Sequence, residues 1–232
     1  NMNNLENLTL VIPAKEEPNA LPIVLKELSN YNCKKIVVIK DDDIQTFESI
    51  KNLNCEIVFQ TKNGYGNAII EGINKAKSEY IAIYYADGST DPNYLIQMLN
   101  VIYKENKSIV FASRYEKNGK SLDDNIITKI GNYFFSIVGN IFFNLKISDI
   151  LFTYIVAKKK AFEQMNLFSN NYNLCVEIPL KAKFLNLNYA VFPCIERKRI
   201  ADKKKVKPFK VGFEILFFLI KCYFNSNFIN QK

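Results

Sequence analysis

Tyr80-Ile81-Ala82-Ile83-Tyr84-Tyr85-Ala86-Asp87-Gly88-Ser89-Thr90-Asp91-Pro92 divides into two halves of opposite character. The first six residues are apolar or aromatic, the composition of a strand buried on both faces. From Ala86 the chain turns polar, with an Asp-Gly pair and a closing proline, the mark of a turn. A buried strand therefore delivers the Asp87 carboxylate into a turn at its C-terminal end. In an open α/β sheet that edge is where ligands bind. A carboxylate held there suits a divalent cation, because hard cations prefer oxygen ligands. The same pattern also suits a strand followed by an aspartate that caps the next helix.

Strand-to-helix units flank this stretch on both sides. Leu8 to Ile12 reads as a strand that passes through Pro13 to Pro18 into an amphipathic helix over Ala20 to Leu28, with Leu21, Val24, Leu25 and Leu28 on one face. Glu16 and Glu17 then stand at a strand end. Lys35 to Ile39 is a second strand, and Asp41-Asp42-Asp43 opens a helix through about Leu53. A carboxylate there accepts hydrogen bonds from a ribose or base, or complements the helix N-terminus. Glu56 to Gln60 is a third strand. Gly64 and Gly66 follow in a loop free of side chains, before a helix over Ala68 to Ala76 whose first N–H groups could face a phosphate. Beyond the central stretch come a helix over Asn93 to Glu105 and a fifth strand, Ser108 to Ala112, running into Ser113-Arg114-Tyr115. Strands alternating with helices predict an α/β fold with a mostly parallel central sheet covered on both faces.

Composition narrows the chemistry. The chain has 232 residues, 48% of them hydrophobic and 23% charged, which suits a folded domain and excludes disorder. With no histidine at all, Ser-His-Asp triads and His-ligated metals are excluded, so chemistry must rest on carboxylates, Lys, Arg, Tyr or a metal. The five cysteines form no Cys-x-x-Cys pair, which argues against a disulfide framework or a zinc site and fits a reduced, cytoplasmic setting. The net charge of +8 is concentrated late, in Arg197 to Arg199 and Lys203 to Lys207. No basic strand interleaved with aromatics is present, so nucleic acid is not the expected partner.

The second half of the chain is more apolar. Asp123 to about Leu145 reads as a long helix rich in Phe and Ile, a core stripe or a membrane-contact surface. Lys146 to Ala157 and Tyr189 to Glu196 read as extended, and Lys158 to Met165 and Val176 to Phe184 as helical. Lys205 to Phe224 sets a basic run before an apolar helix, suited to a membrane interface or to packing on the sheet. No signal peptide is evident, and no apolar run reaches the roughly 18 to 20 residues of a membrane span. The expected organisation is a main domain over 1–205 and a C-terminal amphipathic helix and tail over 206–232.

The ordered motifs resemble family 2 glycosyltransferases of the GT-A fold, in particular the dolichol-phosphate mannosyltransferase-like branch. Pro13-Ala14-Lys15-Glu16-Glu17 matches the opening Pro-x-x-x-Glu, Asp41 and Asp42 the paired nucleotide-side aspartates, and Gly64-Tyr65-Gly66-Asn67-Ala68, with Lys62 before it, the glycine loop. Tyr85-Ala86-Asp87 matches the metal-binding Asp-Ala-Asp, Ser113-Arg114-Tyr115 the Ser-Arg-Tyr, and Arg199 to Val206 the late basic segment. The resemblance implies inverting transfer of a sugar from a UDP- or GDP-sugar to a polyprenyl (dolichyl or undecaprenyl) phosphate or related acceptor, with Mg²⁺ or Mn²⁺, peripheral at the cytoplasmic face of a membrane. It implies a donor site of Pro13, Ala14, Glu17, Asp41, Asp42, Lys62, Gly66, Ala86 and Asp87, with Asp87 holding the metal. The implied acceptor-phosphate site is Ser113, Arg114, Lys129, Arg199 and Lys205, and Asp87, Arg114 and Asp149 are the implied catalytic set.

Three departures stand out. Tyr85 replaces the first aspartate of Asp-x-Asp. The segment Asp149 to Ile155 keeps the aspartate of Asp-x-x-x-Gly-x-Arg, but Thr153 replaces its glycine and Ile155 its arginine. The glycine and serine of the late basic segment are Asp202 and Lys204. Two other readings follow: transfer to a sugar hydroxyl with Glu177 or Asp149 as base, or a nucleotide-sugar-binding protein without turnover.

Overall fold

The computed structural model describes residues 5–201 and 207–229. Its first half alternates as the hydrophobic pattern predicts: β1 (Leu8–Pro13), α1 (Leu21–Leu28), β2 (Lys34–Ile39), α2 (Ile44–Ile50), β3 (Glu56–Phe59), α3 (Tyr65–Lys75), β4 (Tyr80–Ile83), α4 (Asn93–Lys104) and β5 (Ile109–Ser113). The second half comprises β6 (Lys120–Ser121), α5 (Ile126–Phe143), β7 (Ile155–Lys158), α6 (Lys159–Met165), α7 (Leu174–Phe184), β8 (Tyr189–Pro193), β9 (Ile195–Glu196), α8 (Pro208–Phe224) and α9 (Ser226–Ile229).

Seven strands form one sheet in the order β3-β2-β1-β4-β7-β5-β8, and β6 pairs with β9 beside it. Strand β7 lies antiparallel to both β4 and β5, while the other pairings in the sheet are parallel. The extended reading of 146–157 thus becomes a strand only from Ile155, inserted between β4 and β5. Because β4 and β5 both oppose β7, they point the same way as β1 and β2, and their C-terminal ends share one edge.

Side chains alternate across the sheet, as a period of two demands. Leu8, Leu10 and Ile12 of β1 pack with Leu21, Val24, Leu25 and Leu28 of α1 and with Leu95, Met98, Leu99 and Ile102 of α4. Val11 packs on the opposite face with Ile69 and Ile73 of α3, Phe135 of α5, and Ile215, Phe218 and Leu219 of α8. Leu10, Val11 and Ile12 are fully buried, each contributing about 1.5–3 kcal/mol. Helix α8 therefore packs into the same core as the sheet through one face.

Helix α5 is long and apolar enough to cross a membrane, contrary to the expectation that no segment would be. It is held to the domain instead. The Asn140 side chain donates to Ile147 O (2.9 Å) and accepts from Ile147 N (3.0 Å), and Ser136 Oγ accepts from Ile150 N (3.2 Å). Its start is three residues later than predicted, because Asn125 and Thr128 form a reciprocal capping box.

The glycine loop also differs from expectation. The Gly66 and Asn67 N–H groups donate to Asn170 O at 3.0 and 3.3 Å, so they bind the 169–171 loop and not a phosphate. A Cβ on Gly66 would overlap the Ser169 carbonyl oxygen, whereas one on Gly131 of α5 would meet nothing within 4 Å. Gly66→Ala should therefore cost about 1–3 kcal/mol of stability by forcing the two backbones apart. Gly131→Ala should add up to about 1 kcal/mol through helix propensity. Urea unfolding midpoints measured side by side check both signs.

Candidate active site

The C-terminal ends of β1, β4 and β5 open into a cleft of about 860 Å³. Pro13, Tyr85, Asp87 and Arg114 mark those strand ends on its wall, and residues of α5 and α8 complete the lining. Asp87 sits in the turn after β4, where Gly88 takes a positive φ of 79° and lies against Ile200. Asp87 Oδ1 accepts from Ser89 N at 3.0 Å, which fixes the carboxylate's direction. Its Oδ2 lies 3.2 Å from Arg199 Nη2, and the same nitrogen lies 3.4 Å from Asp123 Oδ2.

The segment after β9 that carries Arg199 is bound to this turn at several points. Ile200 N donates to Asp87 O (2.9 Å) and Arg197 N to Ser89 O (2.7 Å). Arg197 also grips Glu27 of α1 with two bonds of 2.8 and 2.9 Å and donates to Thr90 O. A bidentate arginine–carboxylate pair fixes geometry as well as energy.

At the end of β5, Arg114 is ringed by carboxylates. Its Nε and Nη2 donate to Asp149 at 2.7 and 3.0 Å, and its backbone N donates to Asp149 Oδ2 at 3.2 Å. Nη1 reaches Glu196 at 3.2 Å and Asp124 at 3.5 Å, and the guanidinium lies 4.4 Å from the centre of the Phe152 ring. Asp149 is 1% exposed and Arg114 7%. Burial pushes the Glu196 carboxyl above the ordinary value, opposed by Arg114 and by the hydroxyl of Ser121, which donates to it. Asp124 is further held by Tyr115 OH (2.5 Å) and Asn132 (3.2 Å).

Beside Asp87 the wall is aromatic. Thr153 N donates to Tyr85 OH at 2.9 Å, and Thr153 Oγ1 lies 3.1 Å from that hydroxyl and 2.7 Å from Tyr65 OH. Tyr65 stacks on Tyr172 with centroids 4.7 Å apart. Burial holds the Tyr65 and Tyr85 phenols far above their usual range, so both stay neutral donors. Cys175, also on the wall, is pushed up to about 12 by burial and is no nucleophile at neutral pH.

A sequence profile described as Glycosyl transferase family 2 matches residues 9–165. The chain belongs to that family. It is accordingly a hexosyltransferase with the GT-A fold. It is similar over 236 residues, at 24% identity, to the UDP-N-acetylglucosamine–dolichyl-phosphate N-acetylglucosaminyltransferase of Methanococcus voltae, covering 91% of this chain and 94% of that one. Among solved structures, mannosyl-3-phosphoglycerate synthase from Rubrobacter xylanophilus superimposes with a TM-score of 0.76 at 14% identity, over 97% of this chain and 76% of that one. Glucosyl-3-phosphoglycerate synthase from Mycobacterium tuberculosis, in complex with Mn²⁺, UDP and glucosyl-3-phosphoglycerate, does so with a TM-score of 0.71 at 12% identity, over 93% and 79%.

Within this glycosyltransferase the residues singled out from sequence separate into groups. Pro13, Glu17, Ala86, Asp87, Arg114 and Arg199 meet at the cleft. Asp41 and Asp42 are exposed, with Asp42 paired to Lys40 at 2.7 Å. Their neighbour Asp43 makes the structural bonds, capping α2 through Thr46 N and accepting from Glu16 N at 2.6 Å. Ala14 is buried in the core, Lys62 is exposed, and Gly66 carries the backbone contact described above. Ser113 is buried with its hydroxyl 2.7 Å from that of Ser148, Lys129 is exposed on α5, and Lys205 lies outside the described residues. Asp123, Asp124, Glu196, Tyr65 and Thr153 were not anticipated at the site. Only the pair Asp123-Asp124 just before a helix cap carried a local signal.

Among the described residues no group of three or more His, Cys, Asp or Glu side chains converges to hold a metal. The arrangement still fits Mg²⁺ or Mn²⁺ arriving with a diphosphate, since Mg²⁺ is commonly held by one or two carboxylates plus substrate phosphates. The Arg199 guanidinium bridging Asp87 and Asp123 marks the place as one that takes a cation.

Arg114→Leu removes the partner of a carboxylate that is 1% exposed. The expected loss is about 3–5 kcal/mol of stability, because an uncompensated buried charge remains. Arg114→Leu combined with Asp149→Leu should recover part of it, and chemical denaturation of the four corners of that cycle measures the coupling.

Proposed function

We propose that this protein moves a hexose from a UDP- or GDP-sugar to a polyprenyl phosphate, or a related lipid phosphate, at a membrane surface. The observation that carries the reading is the mixed lining of one cleft: Asp87 and Arg199 share it with Ile130 and Phe134 of α5 and with Phe209, Phe213 and Leu216 of α8. An acceptor with an anionic head and an isoprenoid tail matches both kinds of lining. The Methanococcus relative, by name a dolichyl-phosphate N-acetylglucosaminyltransferase, supports the same class.

In this reading Asp87 faces the donor diphosphate, with Mg²⁺ or Mn²⁺ supplying positive charge for the departing diphosphate. Arg199, which lines the cleft, binds the acceptor phosphate. Arg114 acts from below by fixing Asp149, Glu196 and Asp124. A phosphate oxygen is already anionic at neutral pH and attacks the anomeric carbon without a base, giving inversion. Transfer to a sugar hydroxyl would need a base, and neither carboxylate considered for it is available. Asp149 is clamped by Arg114, and Glu177 is fully buried, accepting from Phe168 N and Ser169 N at 2.9 and 2.8 Å.

The membrane surface follows from the outer faces of α5 and α8. Phe209, Phe213, Phe217, Ile220 and Phe224 recur along one side of α8 and are exposed, while Ile215, Phe218, Leu219 and Cys222 on the other side are buried. An exposed apolar side on a helix whose opposite side is core calls for an apolar medium to cover it. Ile126, Ile130, Ile137 and Ile141 extend that face along α5, and the exposed Lys129, Lys207, Lys210 and Lys221 suit anionic headgroups.

Incubation with a panel of nucleotide sugars, a short polyprenyl phosphate and Mn²⁺ should give one lipid-linked product, and Asp87→Ala should lower its rate at least about 100-fold. Product formation untouched by Asp87→Ala, or nucleotide binding with no product from any acceptor, would overturn the assignment. Phe217→Glu with Phe224→Glu should abolish flotation with phosphatidylglycerol vesicles; flotation at the wild-type level would show that α8 is not the contact.

A further inference from the structure

We infer that Arg199 is a placeholder cation, so that donor loading releases the group that binds the acceptor and the two substrates tighten each other. The inference rests on the donor-site reading of Asp87. Three observations on separate residues support it.

First, the guanidinium stands between two carboxylates, 3.2 Å from Asp87 and 3.4 Å from Asp123, at the place argued to take a metal. A single nitrogen, Nη2, serves both. The geometry is that of a shared counter-ion, and the rest of the planar fork is left to turn elsewhere. Second, Asp87 Oδ1 already accepts from Ser89 N, so Oδ2, the oxygen facing Arg199, is the one an incoming cation would take. A divalent ion and a guanidinium compete for that oxygen, and like charges brought so close repel. Third, the backbone of this segment is pinned on both sides of Arg199 by Arg197 N to Ser89 O and Ile200 N to Asp87 O, and Arg197 is locked to Glu27. Displacing the Arg199 side chain therefore does not require the backbone to leave the turn. The side chain, with about a fifth of its surface exposed, swings within the cleft it already lines.

The consequence is an exchange. Without the donor, Arg199 neutralises Asp87 and Asp123 and is a poor ligand for an acceptor phosphate. When a divalent cation and a nucleoside diphosphate arrive, Asp87 turns to the cation and the freed guanidinium offers its fork to the acceptor. Acceptor binding should then depend on the donor, and by linkage the acceptor should tighten the donor by the same factor.

Equilibrium binding tests this without turnover. Mn²⁺ affinity is read by electron paramagnetic resonance with UDP, and in parallel GDP, at saturation, and short-chain polyprenyl phosphate binding is read by calorimetry with and without Mn²⁺ and the nucleotide. Wild type should bind the lipid phosphate at least about 10-fold tighter once Mn²⁺ and nucleotide are present. Arg199→Gln should bind Mn²⁺ at least about 5-fold tighter than wild type and lose the donor-dependent gain in lipid binding. A merely structural arginine, or one that grips the diphosphate, would leave Mn²⁺ binding unchanged or weaker in Arg199→Gln, and either result overturns the exchange. Equal lipid affinity with and without Mn²⁺–nucleotide in wild type overturns it independently of any variant. If wild type binds Mn²⁺ with neither nucleotide, the donor-site reading itself fails, an outcome distinct from both.

Discussion

The buried pair of Arg114 and Asp149 brings four separate parts of the chain to one point. Arg114 ends β5, Asp149 lies in the segment between α5 and β7, Glu196 is in β9, and Asp124 precedes α5. Each of these carboxylates is costly to bury alone, and one guanidinium, stacked on Phe152, compensates them. The net contribution of such a cluster to stability is small, because desolvation offsets most of the attraction. Its effect is on position. It fixes the base of α5 and the strand leading to Arg197 and Arg199 relative to the sheet edge, and so sets the shape of the cleft.

The first half of the fold was legible because its signals are local. Alternating apolar runs of four to six residues, turns at Asp-Gly and Asn-Gly, and helices with four apolar residues on one face give β1 to β5 and their helices. The second half depends on pairings far apart in sequence. Whether the stretch before Ala157 would be a strand, and in which direction, is decided by the space left between β4 and β5, which no window of sequence records. The same holds for the site. Asp87 was found from its own turn, but its partners Arg199 and Asp123 lie 112 and 36 residues further on. Asp41 and Asp42 drew notice as a run, yet Asp43 is the member whose Oδ2 holds the β1–α1 loop.

Two departures from the family pattern explain each other. Tyr85 stands where an aspartate is expected and Thr153 where a glycine is expected, and the two are in direct contact: Thr153 N donates to Tyr85 OH, and Thr153 Oγ1 links that hydroxyl to Tyr65. A glycine at 153 would leave the two phenols without the bridging hydroxyl. An aspartate at 85 would set a charge beside a wall of Tyr65, Phe152 and Tyr172 in a region where burial penalises charge. Viewed singly, each replacement suggests decay of the site. Viewed together, they form a satisfied hydrogen-bonded wall, which is what a buried polar group requires.

That wall changes what the cleft asks of its ligands. With Tyr85 neutral, negative charge at the cation position comes from Asp87 and from Asp123 across Arg199, and the cation balance rests on a residue in the segment that leads into α8. The polar chemistry at the sheet edge and the apolar face of α8 are thus consecutive along the chain, separated by a few residues from Arg199 to Pro208. Charge at the strand ends and apolar surface on α5 and α8 line one cleft, and Arg199 stands among both.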